Sequence, residues 1–289
     1  MIDLLKDPYE RKARLFPGLM VALPLLVPLV CVYGPRHPVL TAVVAVLGGC
    51  GALYTLASVT RGRGKQLQES LLAKWGGLPT TIALRHRETA ALDGVSKQRY
   101  HALVGTKLQI AMPTAQEERA DPAKADDVYN GVAKRLRELT RNNKGLLFKE
   151  SIAFGFHRNM LAMKPVGIVT SLMGIAYGLI IAKVLQLSPP QFAPINLADP
   201  GLAATLTLLV SLALLSAWLL YFNKKAVLHI GFSYAEQLFE CLAALPDAAV
   251  RKRATRAVQD ARSIVTAAPE PAATSALAPA ASRFPAGGA

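Results

Sequence analysis

Four apolar runs constrain this chain more than anything else in it, because each is about long enough to cross roughly 30 Å of hydrocarbon as a helix. They are Leu15 to Tyr33, Val39 to Val59, Pro165 to Leu187 and Gly201 to Phe222, and the only Asp, Glu, Lys or Arg within them is Lys183. A chain of 289 residues with 52% apolar and 18% charged residues thus spends its length on spans and not on two soluble cores. The runs come in two close pairs. Gly34-Pro35-Arg36-His37-Pro38 turns the first run into the second, and Ser188 to Pro200, with four prolines and no Lys or Arg, joins the third to the fourth. Lys183 sits near the far end of its run, where it can snorkel outward.

The net charge of +14 would suggest nucleic acid in a soluble domain, but here the cations flank the apolar runs. Lys6, Arg11, Lys12 and Arg14 precede the first run, 19 Lys and Arg against 10 Asp and Glu lie between residues 61 and 164, and Lys224-Lys225 follow the fourth run. Arg36 alone marks the two short turns. Both termini and the insert are therefore expected on the cytoplasmic side. Residues 1–14 resemble the n-region of a signal peptide, yet no small-x-small site closes the run, so an uncleaved anchor is expected.

Pro17, Pro24 and Pro28 remove backbone donors along the first run and predict a kinked helix that packs against others. In the second run Gly48 and Gly49 form small-xxx-small pairs with Ala52 and Ala45. In the third, Gly167, Ser171, Gly174 and Gly178 fall on one helix face and predict a helix–helix seam. These small-residue faces also motivate a homo-oligomer. Cys31, Cys50 and Cys241 lack Cys-x-x-Cys or histidine spacing and read as buried apolar thiols, so no metal or other cofactor is expected.

The predicted fold class is an all-α integral membrane protein: a cytoplasmic N-terminus (1–14), transmembrane hairpin 1 (15–59), a helical cytoplasmic insert (60–164), transmembrane hairpin 2 (165–222), a cytoplasmic amphipathic and basic segment (223–265) and a disordered Ala/Pro-rich tail (266–289). Within the insert, Gly76-Gly77-Leu78-Pro79 should end the helix carrying Leu67, Leu71 and Leu72. Thr114 and Glu117 fit a capping box, Asp121-Pro122 an N-cap and first turn, and Val128, Val132, Leu136 and Leu139 one helix face.

Candidate chemistry gathers in the densest run of uncommon residue types, Trp75-Gly76-Gly77-Leu78-Pro79-Thr80-Thr81 followed by Arg85-His86-Arg87 and Lys97-Gln98-Arg99-Tyr100-His101. Guanidinium groups grip phosphate bidentately and hydroxyls add donors, so Thr80, Thr81, Arg85, His86, Arg87, Lys97, Arg99 and His101 are the candidate binding residues for an anionic ligand. The alternative is a basic surface drawn to anionic headgroups. Arg85, His86, Arg87, Asp93 and His101 also hold residue types for acid–base work on a phosphorylated or lipid substrate. No Gly-x-x-x-x-Gly-Lys-Ser/Thr, Gly-x-Gly-x-x-Gly, His-Glu-x-x-His or Gly-x-Ser-x-Gly motif is present, and no catalytic residue is assigned.

Asp7-Pro8-Tyr9-Glu10-Arg11-Lys12-Ala13-Arg14-Leu15, the Trp-Gly-Gly-Leu-Pro-Thr-Thr run, Leu84-Arg85-His86-Arg87, Arg99-Tyr100-His101 and Phe154-Gly155-Phe156-His157-Arg158-Asn159 together resemble a set of uncharacterised bacterial inner-membrane proteins with no assigned activity. In layout the chain is similar to four-helix membrane effectors of anti-phage systems. The leading expectation is a non-enzymatic inner-membrane effector or sensor in defence or stress. Its insert would respond to a soluble partner or anionic small ligand, alter span packing and permeabilise the bilayer. The alternatives are a membrane-bound enzyme and a scaffold recruiting a soluble partner or nucleic acid, with nucleic acid the less favoured partner.

Overall fold

The computed structural model describes residues 7–143 and 145–246. The chain opens with α1 (Glu10–Tyr33), π-helical over Glu10–Leu15 and α-helical from Phe16. Helix α2 (Pro38–Trp75) is followed by four shorter helices, α3 (Pro79–Leu84), α4 (Gly94–Leu108), α5 (Ala115–Ala120) and α6 (Pro122–Leu139). Then come α7 (Leu146–Ile181), a two-stranded antiparallel hairpin of β1 (Leu185–Leu187) and β2 (Pro190–Phe192), α8 (Gly201–Tyr221) and α9 (Lys224–Ala244). Among the described residues three helices, α1, α7 and α8, are long and apolar enough to cross a membrane. The second expected span lies in α2, where the side chains of residues 40, 41, 43–50 and 53 fall outside the described part; the packing expected of Gly48 and Gly49 is among them. The end of the 223–265 segment and the whole Ala/Pro-rich tail, beyond residue 246, also lie outside it.

Local signals set most of these boundaries. Gly76 adopts φ +72°, which lets α2 stop at Trp75, and Pro79 in the first turn of α3 restarts the helix three residues on. Asp93 caps α4 by accepting from Ser96 N–H at 2.8 Å, Thr114 and Glu117 form both halves of the expected capping box, and Asp121 caps α6 ahead of Pro122. The third apolar run does not stay helical to Leu187. Its helix ends at Ile181, Lys183 turns the chain at φ +57°, and Leu185 then pairs with Phe192 in the hairpin. Three-residue strands are too short for an alternation pattern to stand out from the apolar run before them.

The expected borders between spans and insert, at residues 60 and 164, are not breaks in the backbone. Helices α2 and α7 run straight through them. The segment after residue 223 is likewise no appendage. Ala235, Leu238, Phe239 and Leu242 of α9 are buried against Leu84 of α3, Tyr100 and Val104 of α4, and Tyr129, Val132 and Leu136 of α6, and this is the core of the polar domain. The sequence pattern gave α9 its apolar face, and the insert is where that face is spent.

A second core lies among the apolar helices, where Val21 of α1, Met160 and Met163 of α7, and Trp218 and Phe222 of α8 are buried together. The small-residue seam of α7 is filled from within the chain. A Cβ at Gly167 would lie 2.6 Å from the indole Nε1 of Trp218, one at Gly174 would lie 2.8 Å from Pro24 Cβ, and one at Gly178 2.8 Å from Leu208 Cδ2. Ser171, on the same face, is fully buried. Pro28 has no N–H to offer the carbonyl of Pro24, and that freed oxygen would be 2.9 Å from a Gly174 Cβ. The prolines of α1 and the glycines of α7 thus solve one packing problem together.

Candidate functional site

The stretch from Trp75 to His101 forms the tightest polar assembly among the described residues. Arg85, at the C-terminal end of α3, is 8% exposed. Its Nε and Nη2 donate to the two carboxylate oxygens of Asp126 on α6 at 2.8 and 2.7 Å, and Nη2 also donates to the carbonyl of Gly76. This bidentate geometry is the one a planar guanidinium favours. Arg87 donates to both oxygens of Asp126 at 3.0 Å and to Glu118 Oε1 at 2.8 Å. Glu118 on α5, only 2% exposed, accepts further bonds from the backbone N–H of His86 at 2.8 Å and of Arg87 at 3.2 Å, and from the Tyr129 hydroxyl at 2.7 Å. Burial alone would raise the Glu118 carboxyl; these donors outweigh it and bring the group down to about 2. Burial, and then the bond to Glu118, raise the Tyr129 hydroxyl well above the usual tyrosine range.

The remaining cations and histidines close the turn between α3 and α4. The Lys97 ammonium donates to the carbonyl of Arg85 at 2.7 Å and to that of Glu88, and burial pulls it below its ordinary range against the opposing pull of Glu118 and Glu88. His86 Nε2 bonds the Pro113 carbonyl at 3.0 Å and His101 Nε2 that of Leu84 at 2.9 Å, so each Nε2 carries a proton and donates it to a carbonyl. The two rings meet edge to face at 4.7 Å. Burial holds His101 below the usual histidine range. Thr81 donates to the Asn130 side-chain oxygen, and Thr80 is buried beside it in α3.

Of the sequence-predicted site residues, Thr81, Arg85, His86, Arg87, Lys97 and His101 therefore converge. Arg99 points to solvent on α4, and Asp93 is spent on the helix cap, away from the histidines it was paired with. What converges is a knot whose groups already have partners within the chain: two arginines on two carboxylates, a lysine on two carbonyls, two imidazoles on two carbonyls. Glu118, Asp126 and Tyr129, which complete it, were missed because they lie 31 to 44 residues downstream of Arg85 to Arg87 and only the fold brings them back; the capping box at Glu117 was the nearest local signal. Among the described residues no group of His, Cys, Asp and Glu is arranged to hold a metal ion.

Beyond the knot, the same face of α6 turns basic. Lys134, Arg137 and Arg141 project from it into a cleft of about 770 Å³ whose other wall is the α2–α3 turn. A second polar belt lies on α7. There Arg158 donates to Gln68 of α2, buried Asn159 donates to the Ala13 carbonyl of α1, and Lys164 donates to the Phe222 carbonyl of α8 at 3.0 Å. His157 bonds the Ala153 carbonyl at 3.0 Å and the Tyr221 hydroxyl at 3.3 Å. A scan against protein-family models, a search of curated proteins and a search of solved structures find no match to this chain.

Proposed function

We propose that the chain is a non-catalytic sensor of the bacterial inner membrane, in which a basic cytoplasmic domain receives an anionic ligand or partner and passes its state to the spans. The observation that carries this reading is the continuity of α2 and α7, which at about 1.5 Å per residue are each more than 50 Å long. A hydrocarbon core takes up only about 30 Å of that length. The rest is wall of the polar domain, so a change in the domain has two stiff levers into the bilayer. Arg158, Asn159 and Lys164 fasten α7 to the other three long helices at the level where the levers enter.

Four crossings fit the charge boundaries. Arg14 to Tyr33 in α1, Lys164 to Ile181 in α7 and Gly201 to Tyr221 in α8 each rise by about 30 Å, and residues 39–59 of α2 supply a fourth uncharged stretch of that length. Arg14 and Arg61 line one small concavity between α1 and α2, which supports a common level for the ends of these two apolar stretches. The excess of Lys and Arg on the insert side then orients the chain with both ends inside. The central stretch supports a sensor over an enzyme because its titratable groups are engaged in holding α3, α4, α5 and α6 together.

The coupling is testable without the natural ligand. With Cys31, Cys50 and Cys241 replaced by Ala, nitroxide labels at Arg36→Cys and Leu187→Cys report the spacing of the two outer turns by pulsed electron resonance in nanodiscs. Loosening the knot with Asp126→Asn is expected to shift or broaden that distance distribution. A distribution identical to that of the intact knot would mean that the domain and the spans are mechanically independent, and the sensor reading would fall.

A further inference from the structure

We infer that the cleft between α6 and the α2–α3 turn is a binding site for a phosphorylated small molecule with an apolar moiety, such as a nucleotide; the inference rests on the sensor reading and gives it a place. The cleft is about 770 Å³, inside the range of small-molecule sites. One wall is α6, on which Asn130, Lys134 and Arg137 recur at intervals of four and three residues and so form one stripe, continued by Arg141 in the turn after the helix. Arg141 follows directly on the end of α6. From Lys134 to Arg141 the stripe is about 10 Å long, the scale of a short phosphate chain.

The charges on this wall are not used up inside the protein. Among the described residues no carboxylate lies within ion-pair distance of Lys134, Arg137 or Arg141, and all three are exposed. The one acid in the lining, Glu138, is bonded to Arg135 at 3.2 Å. This is the reverse of the knot, where every cation has its acceptor. Arg137 Nε spends one donor on the Ala133 carbonyl at 3.1 Å, which fixes the guanidinium on its own helix and leaves its Nη groups for a ligand.

The opposite wall is chemically different. Leu72 and Leu78 present aliphatic surface there, with Gly77 between them. Gly77 at φ +153° cannot carry a side chain without strain, and a Cβ there would lie 2.8 Å from Arg85 Nη2. An inorganic anion would satisfy the cationic wall and waste the aliphatic one. A base or similar flat group laid on Leu72 and Leu78, with its phosphates along the α6 stripe, uses both.

The knot builds this cleft. Arg85 holds the Gly76 carbonyl and Asp126 at once, and so sets the α2–α3 turn against α6. Thr81 donates to Asn130 Oδ1, which turns the Asn130 amide nitrogen, a donor, away from α3. The residues that looked like an anion site in the sequence are thus positioning residues for an anion site one to two helical turns further along α6.

The test uses the full chain in nanodiscs of phosphatidylcholine. ATP, GTP, CTP, UTP and inorganic triphosphate are each titrated by calorimetry against the wild type, Lys134→Glu/Arg141→Glu and Leu78→Ser. At least one nucleoside triphosphate is expected to bind, at least tenfold more weakly to the charge-reversed variant, and Leu78→Ser is expected to weaken the nucleotide more than inorganic triphosphate. Lys134→Gln/Arg141→Gln, which removes charge without adding acid, guards against misfolding and is expected to lose affinity in the same direction with an unchanged unfolding midpoint. Failure of all four nucleotides to bind, or binding untouched by either α6 variant, overturns the proposal, as does binding of a single-stranded oligonucleotide alone, which would put nucleic acid in the groove. Nucleotide binding without any change in the Arg36–Leu187 label distance would leave the site standing and remove the sensor reading. A distance that responds to Asp126→Asn in a protein that binds no nucleotide would do the opposite.

Discussion

Asp126→Ala is expected to destabilise the polar domain by about 3–5 kcal/mol, the range for removing one member of a buried ion pair. Arg85 would be left with only the Gly76 carbonyl while its side chain is 9% exposed, and a guanidinium that buried cannot shed its charge. Arg87 retains Glu118, and at 39% exposure it can also turn to water, so the cost falls mainly on Arg85. Asp126→Asn is expected to cost less, since the amide oxygen still accepts one bond; Arg85→Lys is not expected to behave as wild type, because an ammonium cannot span Asp126 and Gly76 with a planar fork. Urea unfolding of the full chain in nanodiscs, followed by hydrogen exchange in α3 and α6, reads the effect. If instead Arg85 and Arg87 served chiefly to bind an external anion, removing Asp126 would leave the unfolding midpoint in place and raise anion affinity.

Acid acts on the same knot. The Glu118 carboxyl titrates at about 2 in the fold, so its contribution is complete above the ordinary glutamate range near 4.5 and is lost as pH falls from there toward 2. His101, held below its ordinary value of 6.5, adds a loss that begins as pH drops through that value, where the unfolded chain takes up a proton that the buried ring resists. Only the His101 loss falls between pH 7 and pH 5, so the urea midpoints of the wild type and of Asp126→Ala are both expected to be lower at pH 5 than at pH 7.

Gly167→Ala is expected to disrupt the packing of α7 on α8, by about 3 kcal/mol or more when the neighbour cannot give way. The added Cβ would sit 2.6 Å from both Nε1 and Cζ2 of Trp218, a rigid ring that is itself fully buried. At Gly178 the first obstacle is the tip of Leu208 at 2.8 Å, which can rotate, and Gly178→Ala is expected to cost about 1 kcal/mol. Gly51 meets nothing within 4 Å, and Gly51→Ala should be neutral. Thermal unfolding of the three variants in nanodiscs is expected to rank them in that order. Equal effects at Gly167 and Gly51 would show that the α7–α8 seam is not packed as described. The seam also bears on assembly: with Trp218, Pro24 and Leu208 seated on Gly167, Gly174 and Gly178, these glycines are not free to meet a second copy, so a homo-oligomer has to use another face.

The sequence disclosed whatever depends on near neighbours. Apolar runs located α1, α7 and α8, the Gly76-Gly77-Leu78-Pro79 break ended α2, and Thr114, Glu117 and Asp121 announced their caps because capping is a contact across three residues, whereas Asp93, read from the sequence for acid–base work, proved to be a cap as well. The seam of α7 was legible as periodicity, and its partner was not, since nothing local links Gly167 to Trp218. The candidate site shows the same division. Arg85, His86, Arg87, Lys97 and His101 stood out by residue type, but their meaning turned on Glu118, Asp126 and Tyr129, which reach them only through the α5–α6 fold-back. Lys134, Arg137 and Arg141 drew no attention because a basic helix face usually means solvent; among the described residues only the lack of a carboxylate within ion-pair distance and the aliphatic wall opposite set it apart. The first strand of the hairpin after Ile181 was hidden at the end of an apolar run and the second in a proline-rich loop.

Everything proposed for the spans depends on the side of the membrane to which each segment is assigned. Single cysteines at Arg36, Val95 and Leu187, in a chain lacking Cys31, Cys50 and Cys241, can be probed in intact spheroplasts with a membrane-impermeant maleimide; Val95 and Leu187 are 79% and 67% exposed. Labelling of Arg36→Cys and Leu187→Cys from outside, with Val95→Cys labelled only after lysis, is the result expected of four crossings with the polar domain inside. Labelling of Val95→Cys in intact spheroplasts, or of only one of the two turns, would contradict it.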